Sequence, residues 1–479
     1  MRRSLTRPFL AALAVVASAS MAGAQTPDAT SALHWREIGP TRAGRARAVS
    51  GVPSEPNVSY IGFDNGGVWR STDYGSNWAP VFDGESTGSI GAIAVAPSDP
   101  NVIYVGTGAG IIRPDLAVGD GVYRSTDGGK TWTHLGLRDS QMIAQIDVDP
   151  TNPKRLFVAA LGHPYGPNAE RGIFRSTDGG DTFQKVLFVD DYTSGNDIRI
   201  DPRNPNIVYA ALWEQQQSFI EGAEFGGAAR GIYKSTDGGT TWKQLTDGLP
   251  AVLEANLAIS PSNPSVVYAM VAAAVSPTAG RGGAGAGGGV GFYKSTDGGE
   301  HWFLSVDGPN AAAGGARHVV DSRPLVRIGG GDLPTIVVDP KNENVVYSSS
   351  TVLWRTEDAG LTWTAVRGAP GGDDYQKTWI NPNDPNILVV VADQGGVVSG
   401  NRGKSWSNWY TQPTAAMYHV STDDAFPYRV CGGQQDSGSA CVDSRSMDGE
   451  ITFHDWHPVN IQEYGIAAAD PDDPDKVYA

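Results

Sequence analysis

Ser-Thr-Asp-Gly-Gly-Lys-Thr-Trp, residues 125–132, is an eight-residue motif that returns along the whole chain. Close copies occupy residues 71–78, 176–183, 235–242 and 295–302, and weaker copies occupy residues 356–363 and 399–406. The aspartate position recurs at gaps of 43 to 61 residues, as Asp73, Asp127, Asp178, Asp237, Asp297, Asp358 and finally Asn401. A period of this size indicates a repeat architecture.

The eight residues have the chemistry of a tight turn that closes a hairpin. An aspartate side chain can accept hydrogen bonds from nearby backbone N–H groups, and glycine adopts the positive φ that such a turn needs. Asn401 keeps an acceptor where the other copies have a carboxylate, so the position requires hydrogen bonding rather than acid chemistry. We therefore predict a structural role for all seven residues.

Each copy follows a Pro/Asn turn and a β-branched run that ends in an aromatic residue, as in residues 96–104. One repeat thus contains strand A (90–96), strand B (102–106), strand C (121–125) and strand D (131–135). Four antiparallel strands form a blade of a β-propeller, so the predicted fold is all-β. The A strands are expected to begin near Arg45, Ser89, Gln141, Gly195, Leu253, Leu333, Tyr375 and Ala415, with a ninth near Ile461.

This count gives eight blades and the start of a ninth, in which the sequence stops. The chain is therefore expected to be a fragment whose larger or second propeller continues beyond Ala479. An apolar fraction of 40% with 61 glycines and 31 prolines fits a large β core with many tight turns.

The first 24 residues have the pattern of a secretory signal, with Arg2, Arg3 and Arg7, an apolar run at 9–17 and small residues at 22–24. Cleavage after Ala24 would leave a propeller domain at 31–479 in a secreted or periplasmic protein. The apolar run is shorter than the roughly 20 residues that a membrane-spanning helix needs, so no membrane span is predicted. A net charge of −16 disfavours nucleic acid as a partner.

The two cysteines, Cys431 and Cys441, lie close together and bracket Gly-Gly-Gln-Gln-Asp-Ser-Gly-Ser-Ala. In an exported chain this spacing favours a disulfide. His454 and His457 lie three residues apart without further ligand residues nearby, so we predict no metal site and no cofactor.

Alternating strand direction sorts the connections onto two faces of the predicted disc. The short A–B turns and the C–D turns formed by the eight-residue motif, which we call box turns, share one face. The longer B–C and D–A loops share the other, which we call the loop face. Variable loops on a rigid frame are where binding sites usually lie. The candidate residues on the loop face are Asp64, Trp213, Glu214, Asp393, Gln434, Gln435, Asp436 and Glu463.

Two of these candidates have alternative interpretations. Trp213 could stack on a sugar, or it could pack within its loop. Asp436 could act as an acid or base in a loop held by the disulfide, or Asp436-Ser-Gly could be simple turn chemistry.

The repeated motif resembles the Asp-box, or bacterial neuraminidase repeat, of sialidases, sortilins and two-propeller xyloglucan-cleaving glycosidases. The order of elements resembles exported bacterial sortilin-like Asp-box proteins, which are often labelled glycosyl hydrolases. The stretches that carry this resemblance are 34–40, 119–125, 168–172, 409–414 and 432–438.

The likeness to the xyloglucan-cleaving enzymes is looser. It implies that Asp64, in an Asp-x-Gly-Gly turn, matches one catalytic aspartate, and Asp436 faintly resembles its partner in the second propeller. Sialidases fit less well, because Arg42, Arg45 and Arg47 are a poor substitute for the arginine triad of those enzymes.

Three functions follow from this sequence. The leading hypothesis is a sortilin-like propeller that binds a peptide, protein or glycan ligand on the loop face. Its rival is a glycoside hydrolase that uses Asp64 and Asp436 on a β-glucan or xyloglucan-like polysaccharide. The third is a purely structural surface or assembly module.

Overall fold

The computed structural model describes residues 36–39, 41–111, 117–217, 223–273, 289–306, 320–328, 332–436, 438–473 and 475–479, and the strands in these ranges form nine antiparallel sheets. The predicted signal sequence, His34 and Trp35 lie outside these residues. Ile38–Ala479 forms one compact unit.

The first four sheets each contain four strands in chain order. Sheet one contains β1 (Ala46–Val52), β2 (Glu55–Phe63), β3 (Val68–Ser71) and β4 (Ala79–Pro80). Sheet two contains β5 (Ile90–Val95), β6 (Ile103–Thr107), β7 (Val122–Ser125) and β8 (Thr133–Gly136). Sheet three contains β9 (Ile143–Val148), β10 (Leu156–Ala160), β11 (Gly172–Ser176) and β12 (Gln184–Leu187). Sheet four contains β13 (Thr193–Ile200), β14 (Val208–Gln217), β15 (Ala223–Ser235) and β16 (Lys243–Leu245).

The remaining sheets vary more in size. Sheet five contains β17 (Val252–Ile259), β18 (Val267–Ala273), β19 (Val290–Ser295) and β20 (Phe303–Leu304), and sheet six contains β21 (Thr335–Val338), β22 (Val346–Ser349), β23 (Leu353–Thr356) and β24 (Thr364–Arg367). Sheet seven contains β25 (Tyr375–Ile380), β26 (Leu388–Ala392) and β27 (Gly395–Ser399). Sheet eight contains β28 (Ser421–Thr422), β29 (Arg429–Gln434), β30 (Gly438–Asp443) and β31 (Trp456–His457), and sheet nine contains β32 (Ala468–Ala469) and β33 (Val477–Tyr478).

The helical segments of the described residues are single 3-10 turns: Arg138–Ser140, Arg323–Leu325, Trp409–Thr411 and Phe453–Asp455. None of the helices in the described ranges is long and apolar enough to cross a membrane.

The repeated motif forms the turn between the third and fourth strands of a sheet. In sheet two, Asp127 Oδ1 accepts a hydrogen bond from the backbone N–H of Thr131 at 2.9 Å, and Oδ2 accepts one from the Thr131 hydroxyl at 2.7 Å. The Ser125 hydroxyl donates to Asp127 Oδ1 and accepts from the N–H of Gly129, both at 2.8 Å. Gly129 has a φ of 86°, which glycine adopts without strain.

The last copy of the motif keeps this geometry without a carboxylate. Asn401 Oδ1 accepts from the N–H of Ser405 at 2.8 Å, and Asn401 Nδ2 donates to the Ser405 hydroxyl at 2.7 Å. The amide therefore makes the hydrogen bonds that the aspartates make elsewhere. In sheet seven the turn leads into the 3-10 turn Trp409–Thr411 instead of a fourth strand.

Sheet seven packs on sheet one and closes a ring of seven sheets. The ring of Trp379 on β25 lies against Gly51 on β1, where an added Cβ would be 2.2 Å from the indole. The side-chain amides of Asn381 and Asn383 both donate to the carbonyl oxygen of Pro53, at 3.3 and 3.0 Å. A shared buried cluster joins residues of both sheets: Ala43, Ala46, Ile61, Phe63, Trp69, Trp78, Val389, Val391 and Val398.

Sheets eight and nine lie beyond this closed ring. The all-β propeller of four-stranded blades is confirmed, and the structure adds that the blade-like sheets divide into seven within the ring and two after it. The strand expected near Ala415 begins at Ser421, because the preceding segment instead forms bridges through Ala415 with Ala43 and through Met417 with Gln434. The ninth A strand begins at Ala468 rather than near Ile461.

Acid should destabilise the fold through the box turns. The pKa values of Asp127, Asp178 and Asp237 are held well below their usual range. The largest cause is a hydrogen bond from a threonine hydroxyl, and hydrogen bonds from backbone N–H groups and a serine hydroxyl add to it. A lowered folded-state pKa stabilises the protein above the unfolded value of about 3.9, and this contribution is lost as pH falls through the folded-state pKa. We expect the denaturant midpoint, followed by tryptophan fluorescence, to fall steeply between about pH 4 and pH 2.

The matched control for this prediction is Asp237→Asn, which places at one box the residue that Asn401 provides naturally. This variant should fold at pH 7 and should lose less stability than the wild type on acidification. Equal acid sensitivity of the two proteins would contradict the assignment to the box carboxylates.

Candidate functional site

Arg45 joins two buried carboxylates at the loop face of the ring. Its Nη2 donates to Asp393 Oδ2 at 2.8 Å, and its Nε lies 3.6 Å from Asp64 Oδ2. Asp64 follows β2 of sheet one and Asp393 follows β26 of sheet seven, so the arginine spans the joint at which the ring closes. Asp64 is 4% exposed and Asp393 is fully buried, and charged groups this deep in a protein require such pairing.

Two glutamines complete the surroundings of Asp393. Gln376 Nε2 donates to its Oδ1 at 2.8 Å, and Gln435 Nε2 donates to its Oδ2 at 2.9 Å. Gln376 belongs to sheet seven, whereas Gln435 belongs to the turn after β29 in sheet eight. Asp393 therefore connects the closed ring with the first sheet beyond it.

Sheet eight brings Asp436 to the same place through a hairpin. Cys431 and Cys441 lie opposite each other on β29 and β30 and form a disulfide. At the turn, Asp436 has a φ of 48°, and its backbone N–H donates to Glu463 Oε2 at 3.1 Å. Gln434, on the same strand, donates to the carbonyl oxygen of Ala43 at 2.9 Å.

Asp393 and Asp436 are coupled acids. Burial raises the pKa of Asp393 to about 6, and a hydrogen bond with Asp436 adds to the rise, whereas the positive charge of Arg45 lowers this pKa. Burial and the carboxylates of Glu463 and Asp373 likewise raise the pKa of Asp436. The pKa of each of these two carboxyl groups is thus raised above its ordinary value, with burial as the main cause.

A pocket of ≈ 360 Å³ lies beside Arg45 and Asp64. It is lined by the turn after β2, by the segment between sheets seven and eight, and by Gln435: Gly44, Arg45, Phe63, Asp64, Asn65, Gly66, Thr414, Ala415, Ala416, Met417, Tyr418 and Gln435. The ring of Tyr418 lies 4.7 Å from that of Tyr464, measured between centroids. The pocket thus combines carboxylate, amide and guanidinium groups with aromatic surface.

Asp374 joins Asp393 and Asp436 in a compact acidic group. One carboxylate oxygen from each of the three lies within 4.8 Å of the others. In the described part of the chain, Arg45 and the two glutamines already contact the buried member of this group. His454 and His457 lie apart from it, in the 3-10 turn and the last strand of sheet eight.

The structure brings together six of the eight candidate residues of the loop face: Asp64, Asp393, Gln434, Gln435, Asp436 and Glu463. The other two lie in sheet four. Trp213 packs against a buried cluster of sheets five and six. Burial raises the pKa of Glu214, the charge of Asp190 raises it further, and the charge of Arg171 lowers it.

Sequence reasoning missed the positioning role of Arg45 and the contribution of Gln376. Arg45 and Arg47 alternate with glycine and alanine in a strand that begins a repeat, in the stretch Gly44-Arg45-Ala46-Arg47-Ala48. Two charged residues among small residues of an inner strand are a signal of buried pairing. Arg47 indeed contacts Gln376 and lies 3.4 Å from Asp332.

Comparisons with known proteins agree with this architecture. A family profile described as sortilin, neurotensin receptor 3, matches residues 120–271. A xyloglucanase from Paenibacillus sp is 27% identical over 405 residues, which is 75% of this chain and 35% of the relative. The xyloglucanase Xgh74A of Acetivibrio thermocellus is 24% identical over 219 residues, 40% of this chain and 24% of the relative. The chain thus spans 24 to 35% of the length of these curated relatives.

Solved structures show the same fold at low identity. A GH74 xyloglucanase from Xanthomonas campestris superposes with a TM-score of 0.60 and 16% identity, covering 91% of this chain and 71% of that one. A GH74 enzyme from Niastella koreensis gives a TM-score of 0.56 and 18% identity over 91% of this chain and 70% of that one.

These observations define the class of protein as an all-β propeller built from Asp-box repeats. Within that class, residues 120–271 are similar to the sortilin family profile, and the chain has a looser likeness to GH74 xyloglucanases.

Proposed function

We propose that this chain is an exported propeller that binds a glycan in the pocket between sheet one and the segment leading to sheet eight. The observation that carries this proposal is the pairing of Asp64 and Asp393 with Arg45, beside a pocket of ≈ 360 Å³ that Arg45, Asp64 and Gln435 line. Three polar groups from separate parts of the chain meet at one concave place, which is the usual form of a small-ligand site.

The chemistry of the pocket lining suits a sugar. Hydroxyl groups of a glycan can donate to Asp64 and can exchange hydrogen bonds with the amides of Asn65 and Gln435. The ring of Tyr418 offers an apolar surface for the C–H face of a pyranose. The likeness to xyloglucanases supports this class of ligand over a peptide.

Hydrolysis is a second candidate, and the observation that favours it is the close approach of Asp393 and Asp436, whose carboxylate oxygens lie within 4.8 Å of each other. A glycosidase needs one protonated carboxyl as general acid and one ionised carboxylate as base or nucleophile. Asp436 is the exposed member of the pair and would act as the acid, while Asp64, beside the positive charge of Arg45, would be the ionised group. The bond cleaved would be a glycosidic bond of a β-glucan or xyloglucan-like chain.

Affinity electrophoresis in gels that contain xyloglucan or β-glucan tests binding. The wild type should be retarded, and Asn65→Ala and Tyr418→Ala should each weaken binding by about tenfold, the effect of one lost stacking contact or hydrogen-bonded group. Lys130→Ala, on an exposed box turn of the opposite face, is the matched control and should bind like the wild type. Equal migration of all four proteins with and without polysaccharide would refute the proposal.

A reducing-sugar assay on the same polysaccharides separates the two candidates. Hydrolysis predicts turnover that Asp436→Asn and Asp64→Asn each lower by about 10² to 10⁴. Binding without turnover, or turnover that Asp436→Asn leaves unchanged, rules out the hydrolase assignment and leaves glycan binding intact.

A further inference from the structure

A second surface on the loop face is formed by loops of sheets three and four that the side chain of Arg171 holds in place. This arginine is fully buried, and its guanidinium makes five hydrogen bonds of 2.6 to 2.9 Å. The acceptors are the hydroxyl of Ser194 and the carbonyl oxygens of His163, Gly166, Tyr192 and Gln215. One side chain therefore fixes the loop before β11, the loop before β13 and strand β14.

Further contacts tie these loops together. Asp139 Oδ2 accepts from the Asn168 side chain at 2.9 Å, and its Oδ1 lies 3.1 Å from His163 Nε2. The N–H of Asn168 donates to the carbonyl oxygen of Asp191 at 2.8 Å. The loop before β11 is thereby bonded to the 3-10 turn Arg138–Ser140 on one side and to the loop before β13 on the other.

This fixed frame holds large apolar side chains in solvent. Tyr165 is 41% exposed, Phe188 40%, Val189 39% and Tyr192 46%. The ammonium of Lys185 lies 3.9 Å from the centre of the Phe188 ring, and the backbone of Tyr192 is held by both Arg171 and Asp190. Apolar groups held rigidly in water are typical of interaction surfaces, because little conformational entropy is lost on binding.

The charges around these side chains are predominantly negative. Asp190 and Asp191 are exposed in the loop before β13, and the Asp139 side chain is 68% exposed. Of the nearby cations, Lys185 covers the Phe188 ring, whereas Arg138 lies 3.4 Å from Asp120. With a chain charge of −16, this surface attracts a cationic partner.

We propose that the surface formed by Tyr165, Phe188, Val189 and Tyr192, with Asp139, Asp190 and Asp191 at its edge, binds a polypeptide segment that carries basic and aromatic side chains. The aromatic side chains of the partner pack on the four apolar residues, and its lysine or arginine side chains pair with the three carboxylates. This site is separate from the glycan pocket and does not depend on it.

Fluorescence anisotropy with two labelled ten-residue peptides tests the proposal on the full chain. One probe alternates lysine with tryptophan, and the other alternates glutamate with tryptophan. The lysine peptide should bind at least about tenfold more tightly. Phe188→Ala and Asp191→Asn alter exposed side chains and should each weaken its binding by about three- to tenfold.

Two controls make the outcome decisive. Tyr428→Ala removes a comparably exposed aromatic ring just before β29 and should bind the lysine peptide like the wild type, as should Asp64→Asn in the glycan pocket. The proposal is overturned if Phe188→Ala binds like the wild type, if both peptides bind equally, or if Phe188→Ala loses xyloglucan binding but keeps peptide binding.

Discussion

Replacing Arg45 by leucine should destabilise the protein by about 3 to 5 kcal/mol at pH 7, the cost of removing one partner from a buried ion pair. The variant would leave Asp64 and Asp393 facing each other in the closed ring without the guanidinium that lies 2.8 Å from Asp393 and 3.6 Å from Asp64. Urea unfolding followed by tryptophan fluorescence measures the difference in free energy.

The loss should depend on pH in a direction that identifies the cause. Burial already raises the pKa of Asp393 to about 6, and without Arg45 it rises further. A raised folded-state pKa gives stability below the unfolded value of about 3.9, and this contribution is lost as pH rises through the folded-state pKa. The deficit of Arg45→Leu should therefore be smaller at pH 5 than at pH 7.

Two further variants test this account of Arg45. Adding Asp393→Asn to Arg45→Leu should restore part of the stability, because the uncompensated charge disappears. Arg138→Leu, which removes an arginine that is 66% exposed, should change the unfolding free energy by less than about 0.5 kcal/mol. A pH-independent deficit, or no rescue, would contradict a charge-based role.

Arg171→Leu should have the second large effect, a loss of about 3 kcal/mol or more. Leucine fills part of the space but leaves four carbonyl groups and the Ser194 hydroxyl without their donor, and each unpaired buried polar group costs about 1 to 3 kcal/mol unless the loops rearrange to reach water. Thermal unfolding measures the loss. Hydrogen exchange should also accelerate in residues 162–171 and 188–194 while the box turns stay protected.

The matched control is Arg323→Leu, which removes an arginine that is 62% exposed and pairs with Asp321. Its unfolding temperature should stay near that of the wild type. Unchanged exchange in the two loops of Arg171→Leu would show that the buried guanidinium does not hold the surface proposed to bind peptides.

The box repeats allowed much of the fold to be predicted, because each repeat carries its own turn chemistry. The predicted strands 90–96, 102–106, 121–125 and 131–135 correspond closely to β5, β6, β7 and β8. Periodicity does not reveal where a ring closes. Closure depends on contacts such as Trp379 on Gly51, between residues more than three hundred positions apart in the chain.

The site was partly predictable for the same reason. Asp64, Asp393 and Asp436 stand in corresponding B–C turns, so the register placed them all on the loop face. The pairing of Asp64 and Asp393 with Arg45 depends on ring closure, and the approach of Asp436 to Asp393 depends on the position of sheet eight. The local sequence encodes neither. Glu214 was grouped with them because it shares the face, but sheet four holds it beside Arg171 instead.

Hydrogen–deuterium exchange with and without a xyloglucan oligosaccharide tests the central claim, which is that the pocket lined by Asp64 and Gln435 binds a glycan. Saturating oligosaccharide should slow exchange in peptides that cover residues 63–67 and 412–436, and Asn65→Ala should weaken this protection. Exchange that is unchanged in both segments, or protection confined to box turns such as residues 125–132, would contradict the account.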